Sequence, residues 1–223
     1  MLKNNISEKE SIVLSVIQEY LDENRPFDND KIIPYIKYRC SRSSININKE
    51  GIKVILTSLI NNYYIVQGSK LSRSIVLKNT NRRRLFEVIK NNPGIYLAKL
   101  IKKTKFANHV VCWHVNVLLK FNCIKKDFIE NHEVYYLSYL NFDEVKKNYY
   151  LAKKKTQQIL ALLKINKNRG FTKTRLSKLL KTHYTVISKY IDDLEKIGIL
   201  RKVEFANSNL YYLTQFIQYP IEK

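Results

Sequence analysis

Hydrophobic residues recur every three or four positions in several stretches of the chain, and this spacing predicts amphipathic helices. Two such stripes are Ile52, Leu56 and Leu59, and Ile187, Ile191 and Leu194. Each stripe would face a core along one side of a helix. Shorter stretches that alternate between apolar and polar residues follow these helices and end at polar turns, which predicts pairs of strands.

The first 79 residues contain their own set of helix and turn signals. Ser7, followed three residues later by Glu10, forms a capping box and predicts a helix that starts there. Residues 28–39 supply a second helix, and the first hydrophobic stripe supplies a third. Residues 63–77, "YYIVQGSKLSRSIVL", then predict a hairpin that turns at Gly68.

An internal repeat is the strongest feature of the sequence. Residues 113–138 align with residues 189–214 at a constant offset of 76 and without a gap. The aligned identities include Leu118 with Leu194, Lys120 with Lys196, Tyr135 with Tyr211, Tyr136 with Tyr212 and Leu137 with Leu213. Upstream, "LAKLI" at 97–101 pairs with "LSKLL" at 176–180. A match of this length indicates a duplicated structural unit.

The repeated segments resemble the recognition helix of the winged helix-turn-helix family, in particular MarR- and ArsR-like regulators of archaea and bacteria. The resemblance lies in "VISKYIDDLEKIGIL" (186–200) and "VVCWHVNVLLKFNCI" (110–124). In the family a glycine ends this helix. Gly198 stands at that position in the segment 186–200, and Asn122 stands there in the segment 110–124, where it can form a left-handed cap. "NPGIYLAKL" (92–100) is similar to the start of the second helix in archaeal members.

The resemblance implies a mainly helical α+β fold with small β-hairpins, built from tandem winged helix-turn-helix modules. Three modules are expected, at 1–79, at 81–140, and at 141–223 after a linker helix over 141–155. Residues 77–84 form a short basic connection between the first two modules.

Charge narrows the range of partners. The chain carries 40 Lys and Arg against 19 Asp and Glu, a formal net charge of +21. The excess is +4 in residues 1–80, +7 in 81–140 and +10 in 141–223, so it is spread over the modules. Such a surface attracts polyanions, of which nucleic acid is the commonest, and an anionic membrane surface is the alternative.

Location is expected to be cytoplasmic, with association to the nucleoid if the source is prokaryotic. The N-terminal residues lack the apolar core of a signal peptide. No run approaches the roughly 20 apolar residues that span a bilayer, so no membrane insertion is expected. The three cysteines, Cys40, Cys112 and Cys123, are expected to be reduced thiols.

Residues 110–126 combine two cysteines with His114 and the single tryptophan, Trp113, and therefore raise the question of a metal or thiol site. Helical spacing turns His114 toward the core stripe and Cys112 toward solvent, so the ligands of a tetrahedral zinc site would not converge. A thiol nucleophile would have only His109 as a base on its own face. We expect no metal, no cofactor and no enzymatic activity.

In the winged-helix family the third helix of a module enters the major groove, while the second helix and the wing contact phosphates. The resemblance therefore implies a set of DNA contacts in each module. In the third module these are Arg175, Lys178, Lys181, His183, Tyr184, Thr185, Ser188 and Lys189. In the middle module they are Lys102, Lys103, Lys105, Asn108, His109, Trp113 and Asn116. In the first module they are Ser43, Ser44, Lys49 and Lys53, with Lys70 and Arg73 in the wing.

The predicted function is that of a DNA-binding transcriptional regulator whose partner is duplex DNA. Trp113 occupies a position where family regulators often carry Arg, and it suits a DNA contact and a protein interface equally. The first module, with its small net charge, suits a homodimer or protein contact. The alternative functions are an assembly module, like the tandem winged helices of ESCRT-II or RNA-polymerase-associated factors, and a replication initiator.

Overall fold

The computed structural model describes residues 6–43, 45–166, 170–205 and 208–214. The helices of these residues are α1 (Glu8–Asp22), α2 (Asn29–Arg42), α3 (Lys49–Asn61), α4 (Arg73–Val76), α5 (Thr80–Asn91), α6 (Leu97–Thr104), α7 (Asn108–Lys120), α8 (Phe142–Leu151), α9 (Lys154–Ile165), α10 (Lys173–Leu179) and α11 (Tyr184–Lys196). The strands are β1 (Ile95–Tyr96), β2 (Ile124–Ile129), β3 (His132–Leu137), β4 (Leu200–Phe205) and β5 (Ser208–Leu213). Helices with small antiparallel sheets make an α+β fold, which confirms the predicted fold class.

The chain forms two compact units. The first unit contains the residues up to Asn91 together with Tyr96–Asp127, and the second contains Asn92–Ile95 together with the residues from Phe128 onward. Among the described helices, none has both the length and the apolarity needed to cross a bilayer.

In the first unit, side chains fix the packing of α1 against α3. The predicted capping box is present, because the Ser7 hydroxyl accepts from the Glu10 N–H and the Glu10 carboxylate accepts from the Ser7 N–H at 2.8 Å. The same carboxylate accepts a hydrogen bond from the Ser58 hydroxyl of α3 at 2.5 Å. The predicted stripe of α3 is buried in the core that α1 and α2 complete: Ile52, Leu56 and Leu59.

The hairpin predicted at residues 63–77 does not form. All of these residues are described and none lies in a strand; they form turns and the short helix α4. The turn is held by the loop before α2, since the Gly68 N–H donates to the Phe27 carbonyl and the Phe27 N–H donates to the Ser69 carbonyl, both at 2.8 Å. The prediction of a wing at residues 63–77 was therefore wrong.

Residues 80–137 have the element order of a winged helix: α5, β1, α6, α7, β2 and β3, with the strands arranged β1-β3-β2. Val111, Val115 and Leu118 of α7 are buried, as their spacing predicts. Asn122 follows the helix with a φ of 49°, which confirms the left-handed cap predicted at this position.

The second unit repeats this order after α8. Helix α8 fills most of the segment that was predicted to be a helical linker. Helix α9 is followed by a single bridge between Phe171 and Tyr211, then by α10, α11 and the antiparallel pair β4–β5. In that pair Leu200 lies opposite Leu213.

Helix α11 is anchored by the second predicted stripe. Ile187, Ile191 and Leu194 are all fully buried in a core shared with α9, α10 and the hairpin. Gly198 follows the helix with a φ of 73°, where a residue with a Cβ would be strained. Sequence spacing therefore determines which side of α11 faces away from the protein.

Candidate nucleic-acid interface

The turn between α10 and α11 is held by its own side chains. Lys181 has a left-handed φ of 45°, and the Ser177 hydroxyl donates to the Thr182 carbonyl at 2.7 Å. His183 caps α11, because its ring nitrogen accepts from the Thr185 N–H. The start of α11 and the end of α10 are thus presented by a turn with defined geometry.

The contacts predicted in the third module are exposed, with one exception. The exposed residues are Arg175, Lys178, Lys181, His183, Tyr184, Thr185 and Lys189. Because the buried stripe occupies the core side of α11, helical geometry places Thr185 and Lys189 on the opposite side. The exception is Ser188, which is half-buried.

Ser188 is bound to neighbouring side chains. Its hydroxyl accepts from the Lys173 ammonium at 2.9 Å and donates to the Asp192 carboxylate at 3.2 Å. Lys173 also forms an ion pair of 2.5 Å with Asp192. Burial is the largest single influence and opposes the charged form of Lys173, but the hydrogen bond and charge of Asp192, together with Tyr211, outweigh it and raise the pKa of this lysine. The structure therefore engages the half-buried Ser188 hydroxyl with neighbouring side chains, and its role as a DNA contact stays a prediction.

Lys189 lies next to an acidic side chain that is distant from it in the sequence, Glu130. Glu130, in the turn between β2 and β3, has a left-handed φ of 53°. Its carboxylate accepts from Lys153 at 2.7 Å and from the Tyr149 hydroxyl at 3.0 Å, and it lies 3.4 Å from the Lys189 ammonium. The backbone of this turn is open to solvent, whereas the Glu130 side chain is only 23% exposed.

These contacts keep Glu130 ionised. Burial alone would raise the pKa of Glu130, but the hydrogen bond and charge of Lys153, the Tyr149 hydroxyl and the charge of Lys189 together lower it. Three tyrosine rings lie between 4.5 and 5.5 Å from the Lys153 ammonium: Tyr149, Tyr150 and Tyr190. Such contacts attract the ammonium and help to fix its position, so Lys153 holds the carboxylate in place.

The β4–β5 hairpin adds two cations that the predicted set left out. Arg201 and Lys202 are exposed on β4. The Arg201 guanidinium lies over the ring of its cross-strand partner Tyr212, at 5.4 Å from the centroid. Lys202 forms an ion pair of 2.9 Å with Glu204. The repeat contained a signal for these residues, since a Lys-Lys pair stands at the equivalent positions of the middle module.

In the first unit, the contacts predicted in the middle module are all exposed: Lys102, Lys103, Lys105, Asn108, His109, Trp113 and Asn116. Lys105 ends α6 with a left-handed φ of 59°. Trp113 is 58% exposed, and the Arg82 guanidinium lies 5.8 Å from its ring centroid. This face of α7 presents an aromatic ring among uncharged side chains, with lysines at the end of α6.

The side chains around the tryptophan form a buried polar cluster. His114 is buried, as predicted, and Arg82, which belonged to the supposed basic linker, is buried in α5. Among the described atoms, His114 Nδ1 and the Nε and Nη1 of Arg82 have no hydrogen-bond partner. Burial raises the pKa of the Cys123 thiol. In the part of the chain that the structure describes, no three His, Cys, Asp or Glu side chains are grouped to hold a metal ion.

We expect the first unit to lose stability as the pH falls below about 6.5. The ordinary pKa of a histidine is about 6.5, and the pKa of His114 is lowered from this value by burial and, to a smaller extent, by the charge of Arg82. In this range the unfolded chain binds a proton that the folded chain does not, so the contribution of His114 is complete above pH ~6.5 and declines below it. Thermal unfolding followed by Trp113 fluorescence between pH ~7 and ~5 measures this loss of stability. The loss should be smaller in His114→Gln and should be unchanged in the control His109→Gln, which alters an exposed histidine. An equal loss in all three proteins would contradict the assignment.

The candidate contacts of the first module are less uniform. The exposed members are Ser43, Lys49, Lys53 and Lys70. Arg73 is half-buried, and its guanidinium donates to the Asn62 carbonyl at 2.9 Å, so it caps the end of α3. Lys70 donates to the Asn24 side chain at 3.0 Å. Because no hairpin forms, the placement of Lys70 and Arg73 in a wing was wrong; Ser44 lies outside the described residues.

Comparison with known proteins finds a distant relative and a set of solved structures, two of which are similar over nearly the whole chain. No protein-family model matches the chain. The chain is 26% identical over 167 residues to an uncharacterized HTH-type transcriptional regulator of Methanocaldococcus jannaschii. The match covers 75% of this chain and 40% of that protein, so the chain spans less than half of its relative.

The two solved structures are of the ESCRT-II endosomal trafficking complex. They are 17% and 16% identical to this chain, cover 92% and 95% of it, and are themselves covered over 94% and 97% of their length. Both have a TM-score of 0.25, which is too low to establish a common fold.

Proposed function

We propose that the chain is a DNA-binding transcriptional regulator that recognises duplex DNA through α11. The observation that carries the proposal is the exposed face of this helix, where Thr185 and Lys189 lie opposite a fully buried stripe. A helix of this kind fits the major groove, where side chains can contact base edges. A net charge of +21 and the relative named as an HTH-type transcriptional regulator support the proposal.

The side chains divide into two proposed roles. Tyr184, Thr185 and Lys189 contact bases, because they lie on or at the start of the exposed face of α11. The cations of α10, of the following turn and of β4 contact phosphates: Arg175, Lys178, Lys181, Arg201 and Lys202. The proposed function involves no catalytic step, no cofactor and no metal. We propose that the protein acts on DNA in the cytoplasm.

A second candidate is an assembly module, and the face of α7 favours it. Trp113 is largely exposed, and its neighbours on the exposed face of α7, Asn108, His109 and Asn116, carry no formal charge. Exposed tryptophans of this kind often anchor protein contacts, with a second copy or another protein. An assembly module needs no salt-dependent affinity for duplex DNA, and this separates the two candidates.

The two proposed roles predict different effects of substitution. Thr185→Ala should reduce discrimination at a preferred site by about 1–3 kcal/mol while leaving affinity for random duplex nearly unchanged, because a base contact is lost. Lys178→Ala with Lys181→Asn should weaken binding to all sequences and flatten the salt dependence by about one unit per lysine. Asn is chosen at 181 because it tolerates the left-handed backbone.

Selection of bound duplexes from a random library, followed by fluorescence anisotropy on the selected and a scrambled duplex, measures both effects. Lys147→Ala removes one positive charge from α8 and serves as the control for the effect expected of each lysine. The division of roles fails if Thr185→Ala weakens all sequences alike or if the lysine variants match the control.

A further inference from the structure

The Glu130 carboxylate lies beside Lys189, a side chain of α11 that is proposed to contact DNA. In the 76-residue repeat, Lys189 corresponds to Trp113, so the two exposed helices carry different chemistry at this position. Lys189 lies on the side of α11 proposed to face DNA, and its ammonium is 3.4 Å from the Glu130 carboxylate. An anionic oxygen of the protein therefore lies where a DNA phosphate or a base acceptor would have to bind this lysine.

Glu130 is fixed in this position independently of Lys189. Lys153 and the Tyr149 hydroxyl hold its carboxylate at 2.7 and 3.0 Å, and Lys153 is itself only 18% exposed. The Lys189 side chain, by contrast, is 67% exposed and is free to swing away from the carboxylate. Ion pairs this exposed are weak, so a DNA ligand can displace the contact, at a cost.

We propose that Glu130 is an intramolecular competitor of DNA for Lys189, which restrains binding of α11 to non-preferred sequences. This inference rests on the proposed function. Without DNA, the Glu130 carboxylate compensates the positive charge of Lys189, and it also repels approaching phosphates. A duplex with a strong acceptor in reach of Lys189, such as the O6 and N7 of guanine, repays the lost ion pair, whereas a random duplex does not.

The test is the affinity of the full chain for a short random-sequence duplex, measured by fluorescence anisotropy at low salt. Glu130→Gln should bind this duplex about twofold to fivefold more tightly than the wild-type protein, because Lys189 is released. Glu130→Asn removes the same charge and suits the left-handed backbone, so it guards against a folding defect of the first variant. Glu144→Gln, in α8, makes the same change in net charge and should stay near wild type.

Repeating the measurement in a Lys189→Gln background shows whether Glu130 acts through this lysine. The inference predicts that the gain from Glu130→Gln is much smaller there, because only the direct repulsion between the carboxylate and the phosphates remains to be relieved. No gain in either Glu130 variant, or an equal gain with and without Lys189, would overturn it. If neither the wild-type protein nor any variant binds the duplex, the proposed function itself fails, and this inference with it.

Discussion

Leu194→Ala should lower the free energy of unfolding of the second unit by about 2–5 kcal/mol. Leu194 is fully buried at the centre of the core that joins α9, α10, α11 and the β4–β5 hairpin. Truncation removes the apolar contacts of this side chain and leaves a cavity that the surrounding helices fill only in part. A loss of this size is a large fraction of the stability of an ordinary domain, so α11 should lose its fixed orientation.

Urea denaturation followed by far-ultraviolet circular dichroism measures the effect. Lys196→Ala, two residues further along the same helix, is exposed and should change the stability by less than about 0.5 kcal/mol. If the two variants unfold at the same urea concentration, Leu194 is not part of the core and the orientation assigned to α11 is wrong.

The parts of the fold that were predictable from the sequence depend on local spacing. The stripes of α3 and α11, the capping box at Ser7 and the left-handed caps at Asn122 and Gly198 are all present in the structure. Each reflects a preference of neighbouring residues for one backbone conformation, and the repeat made the α7 and α11 assignments consistent with each other.

The missing hairpin shows where local spacing is insufficient. Residues 63–77 alternate as a hairpin does, and Gly68 suits the turn. In the structure the backbone near Gly68 bonds to Phe27, and the buried Ser72 hydroxyl donates to the Gln18 side chain of α1. These partners are about 40 and 54 residues away, and tertiary contacts of this kind override the local preference for strands.

The side chains that contact Ser188 and Lys189 could not be predicted from the sequence, because they too are tertiary contacts. The exposed residues of α10 and α11 followed from helical spacing, but the partners of Ser188 and Lys189 did not. Glu130 precedes Lys189 by 59 residues, and no spacing in the sequence links the two. The sequence places these side chains on opposite sides of a linker, and only the folded second unit brings the carboxylate to the lysine.

The affinity for duplex DNA should fall about a thousandfold between ~50 and ~200 mM salt. Six exposed cations of the second unit are proposed to contact DNA: Arg175, Lys178, Lys181, Lys189, Arg201 and Lys202. Each cation that neutralises a phosphate releases about 0.9 counterions from B-form DNA, so the logarithm of the affinity should decrease with the logarithm of the salt concentration at a slope of about −5. Lys189 and Lys202 have acidic partners, Glu130 and Glu204, which would make the slope somewhat shallower.

The most direct test of the central claim, that this chain binds duplex DNA through a basic winged helix, is the salt dependence of wild-type binding to a random-sequence duplex. Fluorescence anisotropy at several salt concentrations between ~50 and ~200 mM gives the slope. The claim predicts measurable binding at the lowest concentration and a slope of about −5. No binding at ~50 mM, or a slope shallower than about −2, would contradict it and favour a role in protein assembly.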